Sequence, residues 1–257
     1  MAHPLQFFDS IDSTNIRAKL EAEQGAESGL LVVSDMQSAG RGRRGRGWES
    51  PAGINIYYTL MLKPDFSSDC APMLTLVMAL AVAKGIRQTL RRDSEEAAAK
   101  VGIKWPNDIV VDGKKVCGIL TEMSMEQGYI QHIVIGVGIN VRKQEFPEEI
   151  RDRAAAIDEQ CGFRISRSQL IADIMEAFEE DYEIFLRTHD LKGLRASYAE
   201  LLVNQDREVC VLDPKGEYRG IARGINDQGE LLVERQDGTV EEVYAGEVSV
   251  RGIYGYV

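Results

Sequence analysis

A cluster of arginines in a glycine-rich segment is the first feature of this sequence that suggests chemistry. Residues 37–53 (QSAGRGRRGRGWESPAG), here called the Gly/Arg loop, carry Arg41, Arg43, Arg44 and Arg46 among glycines and then Trp48. Interleaved glycine disfavours helix and strand, because it costs backbone entropy and offers no side chain to pack. Cations this close together repel one another unless they face solvent or an anion. The segment therefore predicts a loop that closes over a negatively charged group.

Two further segments carry groups that handle phosphate. Residues 104–108 (KWPND) place a cation, an amide and a carboxylate at the end of a predicted strand, which is a common setting for metal–phosphate chemistry. Lys115 follows an Asp112-Gly113 turn that brings a second cation to the same sheet. Taken alone, each lysine is better explained as a surface residue. Arginine can bind phosphate, glycine lets backbone amides reach the ligand, and Trp48 supplies a stacking face. The pattern therefore predicts a loop that orders around a phosphorylated or adenylated ligand.

The Gly/Arg loop also invites two other interpretations. Residues 40–45 match the G-x-G-x-x-G fingerprint of dinucleotide-binding proteins, but that fingerprint must open a helix, and this loop runs into another strand. The match is therefore accidental, and the sequence contains no G-x-x-x-x-G-K-[ST] segment of the P-loop type. RNA-binding Arg/Gly segments remain an alternative, although they repeat in disordered tails, whereas this motif occurs once in an acidic chain.

The composition limits the class of protein. The 257 residues carry a formal net charge of -11, which argues against broad nucleic-acid binding and gives no reason to expect a DNA partner. Because the sequence shows no signal peptide and no apolar run approaching ~18 residues, we expect a cytoplasmic protein that does not associate with membranes. Its four cysteines and three histidines are scattered, which predicts reduced thiols and argues against a Cys/His metal site.

Hydrophobic periodicity predicts the elements that must position these groups. A first helix begins at Asp12 or Ser13, turns Ile16 and Leu20 inward and ends at Gly25; helix capping alone is the simplest explanation of residues 13–15. Strands are predicted at 30–36, 54–62, 101–105, 109–111, from 114, and 129–141, and helices at 69–92, 146–159, 166–187 and 191–202. The acidic residues of the helix at 166–187 are expected to form a solvated face. Successive hairpins predict an α+β fold with a mixed, largely antiparallel sheet packed with helices.

The C-terminal fifth of the chain has a different pattern. Beyond about residue 204, short β-type runs alternate with turn signals such as 213–216, 226–229 and 237–238. Strands this short and turns this dense predict a small β-barrel. We therefore expect two domains, a larger one at 1–203 and a small one at 204–257.

Taken together in order, these motifs resemble the biotin–protein ligases of bacteria. The residues that carry the resemblance are 12–15 (DSTN), 37–48, 104–108 (KWPND), 115–119 (KVCGI), 136–140 (GVGIN) and 246–251 (GEVSVR). The resemblance covers essentially the whole chain. It implies the biotin/lipoate ligase fold, which is similar to class II aminoacyl-tRNA synthetases, with an SH3-like C-terminal barrel. Bifunctional members begin with a winged helix-turn-helix that this sequence lacks, so the resemblance is to monofunctional ligases without DNA-binding activity.

The resemblance also implies an activity and a set of site residues. Family members form biotinyl-5′-adenylate from biotin and ATP, release pyrophosphate, and transfer biotin to a lysine of a biotin carboxyl carrier protein. Lys115 and Arg43 would be catalytic, and Asp108 would hold Mg²⁺. Biotin would contact Ser13, Thr14, Asn15, Gln37, Gly40, Arg41, Gly42, Arg43, Lys115 and Gly118. ATP and the adenylate would contact Arg41, Arg43, Arg46, Trp48, Lys104, Asn107, Asp108, Lys115, Asn140 and Arg251, with Glu247 also reaching back toward the nucleotide.

This chemistry agrees with the residue types. A carboxylate attacking a phosphate brings two anions together, so cations and magnesium are expected, whereas a protein nucleophile is not. Because an acyl-adenylate hydrolyses in water, we expect the Gly/Arg loop to be a lid that is disordered when empty. A lipoate or octanoate ligase is the alternative, although polar Ser13, Thr14, Asn15 and Gln37 favour a ureido ligand. Such folds also pair into homodimers through an exposed sheet edge, which leaves the oligomeric state open.

Overall fold

A seven-stranded sheet forms the framework of the larger domain. The computed structural model describes residues 4–212 and 216–245 and the backbone of 249–252. The strands are β1 (Leu5–Phe8), β2 (Leu30–Ser34), β3 (Ile56–Leu62), β4 (Val101–Lys104), β5 (Asp108–Val111), β6 (Lys114–Glu126) and β7 (Tyr129–Ile139). Their order is β1-β2-β3-β7-β6-β5-β4; β1 and β2 pair in parallel, and the other described pairs of this sheet are antiparallel. The predicted mixed, largely antiparallel sheet is confirmed.

Helices cover both faces of this sheet. They are α1 (Thr14–Glu23), α2 (Met73–Arg91), α3 (Glu95–Ala99), α4 (Ile157–Cys161), α5 (Arg167–Thr188) and α6 (Arg195–Leu201). Tyr58 and Leu60 of β3 join the large core formed with α2 and α5, whereas Met61 joins a smaller core under α1. All seven residues of β3 are consequently buried.

The inward face of α1 differs from the predicted one. Ala18 and Ala22 are buried against the sheet, whereas Ile16 is only half-buried and Leu20 is 43% exposed. Small side chains let this helix lie close to the strands. That approach brings the first turn of α1, and with it Thr14 and Asn15, into the interior.

The central pair of helices, α2 and α5, packs closely and is held by ion pairs. A Cβ atom on Gly85 of α2 would lie 2.6 Å from Cγ1 of Ile174, so glycine is required at this crossing. Lys84 pairs with Asp181, which is fully buried, so the prediction of a wholly solvated acidic face was wrong at this residue. The segment Ser68–Arg91 is long and apolar enough to cross a membrane, but 72% of its most apolar 18-residue stretch is buried, as expected of a core helix.

The predicted helix at 146–159 was largely wrong. Only α4 forms at its end, and residues 148–153 make turns. The backbone here pairs with the sheet, because Lys115 donates to the carbonyl of Arg153 at 2.7 Å and Ala155 donates to that of Lys115 at 2.9 Å. These bonds to the start of β6 replace the ones that a helix would have made.

A second, antiparallel sheet forms the C-terminal barrel. Its strands are β8 (Glu208–Leu212), β9 (Tyr218–Ile225), β10 (Leu231–Glu234), β11 (Val240–Val243) and β12 (Ser249–Gly252), in the order β11-β10-β9-β8-β12. Trp105, in the turn between β4 and β5, donates to Oδ1 of Asn204 at 3.0 Å and to the carbonyl of Gly229 at 2.9 Å. The barrel therefore shares a core with the β4–β5 hairpin. The boundary near residue 203 precedes β8, and we retain it as a proposal.

Candidate active site

A cavity of about 740 Å³ lies between the start of α1, the Gly/Arg loop and the strands β5, β6 and β7. The predicted site residues that line it are Ser13, Thr14, Asn15, Gln37, Gly40, Arg41, Gly42, Arg43, Arg46, Trp48, Asn107, Asp108, Lys115, Gly118 and Asn140. The fold thus assembles residues from several distant segments around one volume. Their individual contacts with ligands stay predictions.

Three predicted residues are not among the described residues that line this cavity. Lys104 is only 6% exposed and sits on β4, the edge strand, one strand beyond its partner Asp108 on β5. Its contact with ATP stays a prediction. Arg251 lies in β12, but its side chain is outside the described part of the structure, as is Glu247 altogether.

The polar end of the cavity is organised around Gln37. Its Oε1 accepts hydrogen bonds from the backbone N–H of Thr14 at 2.8 Å and from the Thr14 hydroxyl at 3.1 Å. Its Nε2 donates to Oγ of Ser50 at 2.9 Å. Ser13 occupies the N-cap position of α1, yet its side chain makes no capping hydrogen bond there. Capping is therefore not what the Ser13 hydroxyl does in this structure.

Asn15 is held on both sides of its amide. Nδ2 donates to Oε2 of Glu122 at 2.7 Å, and Oδ1 accepts from the buried hydroxyl of Thr59 at 2.6 Å. Burial would raise the pKa of Glu122, but hydrogen bonds from Lys19 and Asn15 outweigh it and lower that pKa. The Glu122 carboxylate thus fixes the orientation of the Asn15 amide. We call Thr14, Asn15, Gln37 and Thr59 the polar cluster.

The cationic end of the cavity contains Lys115. Its Nζ lies 2.6 Å from Oδ1 of Asp108 and 5.5 Å from the centroid of the Trp48 ring. Burial raises the pKa of the neighbouring Cys117 thiol, which stays protonated and is a poor nucleophile. This end of the site is therefore suited to stabilising anions rather than to attacking them.

The Gly/Arg loop folds back on itself. Gly42 donates to the carbonyl of Arg46 at 2.8 Å, and Trp48 donates to that of Gly40 at 2.9 Å. A Cβ atom on Gly40 would lie 2.3 Å from the Trp48 carbonyl oxygen, so this closure requires glycine. That the loop is disordered when empty stays a prediction.

Arg43 anchors this loop to two other parts of the protein. Its Nη1 donates to Oδ1 of Asn107 at 2.7 Å, and its Nη2 donates to the carbonyl of Ala245 in the barrel at 2.7 Å. Burial lowers the pKa of Arg43, partly offset by the charge of Asp108, and an arginine remains charged after such a shift. Asn107 also donates to the carbonyl of Ile119 at 3.0 Å, so its amide is engaged on both sides.

Trp48 lies on a floor of two strand glycines. A Cβ atom would come within 2.9 Å of its ring at Gly118 and within 2.5 Å at Gly138. A glycine inside a strand signals this kind of close approach. Further lining residues that sequence reasoning did not assign to the site are Gly136, Ser50, Gln144, Glu145, Phe146, Pro147, Ile150, Arg153 and Ala154.

The residues described here form no metal site of their own. They contain no group of three or more His, Cys, Asp or Glu side chains that could hold an ion. Asp108 is the predicted ligand, and its carboxylate already contacts Lys115. Magnesium is commonly held by one or two carboxylates together with substrate phosphates, so a single Asp108 fits an ion that arrives with a nucleotide.

Comparison with known proteins agrees with this geometry. Residues 7–140 match the Biotin/lipoate A/B protein ligase family, and residues 206–251 match the Biotin protein ligase C terminal domain. The bifunctional ligase/repressor BirA of Bacillus spizizenii is 37% identical over 254 residues, which cover 97% of this chain and 75% of that protein. The biotin–[acetyl-CoA-carboxylase] ligase of Paracoccus denitrificans is 30% identical, over 91% of this chain and 98% of that protein.

A solved structure shares the whole architecture. The biotin protein ligase from Aquifex aeolicus, in complex with biotin and ATP, superposes with a TM-score of 0.81 at 29% identity, over 97% of this chain and 99% of that one. The ligase family match spans more than half of the sequence, and the C-terminal domain match covers most of the remaining barrel. The chain therefore belongs to the biotin/lipoate A/B protein ligase family, as one of its biotin protein ligases.

Proposed function

We propose that this chain activates biotin with ATP and attaches it to a carrier protein in two half-reactions. In the first, the biotin carboxylate attacks the α-phosphate of ATP, which forms biotinyl-5′-adenylate and releases pyrophosphate. In the second, a lysine amine of the carrier attacks the acyl carbon, so that an amide forms and AMP leaves. One observation carries this proposal: a single cavity joins a neutral polar end at Thr14 and Gln37 to a cationic end at Arg43 and Lys115.

The two ends suit the two ends of biotin. Hydroxyl and amide groups at residues 13–15 and Gln37 match a ureido ring, which carries both N–H donors and a carbonyl acceptor. The cationic end suits the carboxylate and the phosphate that must meet. Lys115 can offset the negative charge that builds up during attack, as fixed cations do in other acyl and phosphoryl transfers.

Water exclusion is the other requirement of this reaction. An acyl-adenylate is lost by hydrolysis unless the site is closed. The Gly/Arg loop, fixed by Arg43 and placed over the strand glycines through Trp48, is suited to this task. We assign it the role of a lid over the intermediate.

Magnesium would enter the site together with ATP. Asp108 is the side chain that would share it with the phosphates, and the ion would neutralise phosphate charge there. We also propose that the acceptor is a biotin carboxyl carrier protein of a biotin-dependent carboxylase. A cytoplasmic location is proposed as well, because the four cysteines are free thiols in the structure.

The test is turnover with matched acids. The protein is incubated with ATP, magnesium and either biotin or lipoate, and pyrophosphate release is followed. Mass spectrometry then checks for biotinyl-adenylate and, after addition of a carrier domain, for a biotinylated lysine. Biotin-dependent release and carrier labelling are expected, whereas turnover with lipoate and not with biotin would assign the chain to lipoate or octanoate ligation.

A further inference from the structure

Thr59 is a fully buried polar residue directly beneath the biotin end of the cavity. Thr59 lies on β3 and is 0% exposed. It is not among the described residues that line the cavity. Its Oγ1 lies 2.6 Å from Oδ1 of Asn15 and 2.8 Å from Oγ1 of Thr14. Burying a hydroxyl is costly unless it is hydrogen-bonded, and here both partners are predicted to contact biotin.

The amides above Thr59 are oriented by groups outside the polar cluster. Gln37 donates from Nε2 to Ser50, and Asn15 donates from Nδ2 to Glu122, which Lys19 holds in turn at 2.7 Å. Both amide oxygens are therefore directed toward the two threonines. The side-chain donors of these amides face away from the cluster, and the acceptors remain within it.

The hydrogens inside the polar cluster do not suffice for its contacts. Three short contacts involve the hydroxyls: Thr59 with Asn15, Thr59 with Thr14, and Thr14 with Gln37. Each threonine hydroxyl supplies a single hydrogen, so two hydrogens serve three contacts. The cluster consequently holds more acceptor lone pairs than hydroxyl hydrogens, so an N–H group of a ligand can donate to one of its oxygens.

We infer that Thr59 is a positioning residue that sets the hydrogen-bond polarity of the biotin end. Its hydroxyl fixes Thr14 and Asn15 so that the cavity presents acceptors, which selects a cyclic urea with N–H donors over an acyl chain that has none. This inference rests on the proposed function. It assigns the discrimination between biotin and alkyl acids to a buried residue behind the cavity lining.

Thr59→Val keeps the shape of the side chain and removes the hydroxyl, whereas Thr59→Ser keeps the hydroxyl. We expect the valine variant to raise the KM for biotin about tenfold, the effect of losing one buried hydrogen bond, and to leave the KM for ATP unchanged. The serine variant should stay close to wild type. Octanoate, a carboxylate without N–H donors, is the competing acid, and its inhibition constant should not change.

The matched control is Thr89→Val, which removes a buried hydroxyl that donates to Asp173 at 2.6 Å between α2 and α5. It should lower the melting temperature and leave both KM values unchanged. If Thr59→Val does not fold, Thr59→Ala removes the same hydroxyl and is measured instead. An unchanged biotin KM in a folded variant, or an equal loss of affinity for biotin, octanoate and ATP, would overturn the inference. Absence of biotin turnover in the wild type would instead reject the proposed function.

Discussion

Arg43 and Asn107 lie 64 positions apart in the chain and are joined by a hydrogen bond of 2.7 Å between Nη1 and Oδ1. The same guanidinium donates to the barrel at Ala245, so the Gly/Arg loop is tied both to the sheet and to the C-terminal domain. Because Asn107 is fixed in turn on the carbonyl of Ile119, it holds Arg43 in one position. Retention of the intermediate should therefore depend on Asn107.

Asn107→Ala should shorten the lifetime of bound biotinyl-adenylate about tenfold or more, because a hydrogen bond to a charged group contributes about 1.5–3 kcal/mol. The measurement is the loss of labelled intermediate from the protein in the absence of a carrier. Asn226→Ala, in a turn of the barrel, is the control. In the described structure the Asn226 side chain bonds to Gln228, Glu230 and Glu242, all within the barrel. A wild-type lifetime in Asn107→Ala would contradict the anchoring role.

Arg43→Gly should weaken retention of the adenylate more than its formation, again by a few kcal/mol for a lost charged hydrogen bond. The matched control is Arg44→Gly in the same loop. Arg44 is exposed and has a φ of 59°, a conformation that glycine adopts without strain. Single-turnover assays separate formation of the intermediate from its loss. Equal effects of the two substitutions would show that the Arg43 contact is not what retains the adenylate.

Lys115→Ala should slow pyrophosphate release on the order of a hundredfold, the usual cost of removing one group that stabilises developing charge. Lys114→Ala is its neighbour and control, because Lys114 is exposed and lies outside the cavity lining. Initial rates at saturating biotin and ATP give the comparison. Near-normal release by the Lys115 variant would remove this residue from the chemistry of the first half-reaction.

Acid stability should depend on Asp173, which joins α5 to α2 through Arg92 at 2.6 and 2.8 Å. Burial would raise the pKa of Asp173, but hydrogen bonds from Arg92, Thr89 and Gln169 outweigh it and lower that pKa. A depressed folded pKa stabilises the protein above the unfolded value of about 4, and this contribution is lost as the pH falls through the folded pKa.

Asp173→Asn should therefore lower the free energy of unfolding by about 2 kcal/mol at pH 7, and its difference from wild type should shrink below about pH 4. Thermal unfolding at several pH values measures this. Glu176→Gln, exposed on the same helix, is the control and should follow the wild type. A difference that does not change between pH 7 and pH 3 would refute the ion-pair explanation.

The turns and strands around the site were predictable, because the sequence patterns that specify them are local. Asp112 and Gly113 form the expected turn with φ values of 51° and 74°, and the Gly/Arg loop joins β2 to β3 as the alternating strand patterns indicated. Strand glycines at 136 and 138 were recognisable as points of close approach. These features depend on residues that are neighbours in the chain.

The residues that support the site from outside the cavity were not predictable, because their contacts join segments that are distant in the chain. In the sequence, Thr59 is simply one residue of a predicted buried strand. Its role depends on Thr14 and Asn15 of α1, which lie 45 and 44 positions away in the chain. The segment at 146–159 has a charge pattern that favours a helix, yet its backbone pairs with Lys115. Such contacts between distant segments leave no periodic mark in the sequence.

The positions of the two tryptophans have a consequence for measuring this protein. Trp48 lies in the cavity beside Lys115, whereas Trp105, 2% exposed, is sealed between the β4–β5 hairpin and the barrel. One indole thus reports on the lid and the other on the junction of the two sheets. Replacing Trp105 by Phe would leave Trp48 as the single tryptophan, whose fluorescence can time loop closure without any attached dye.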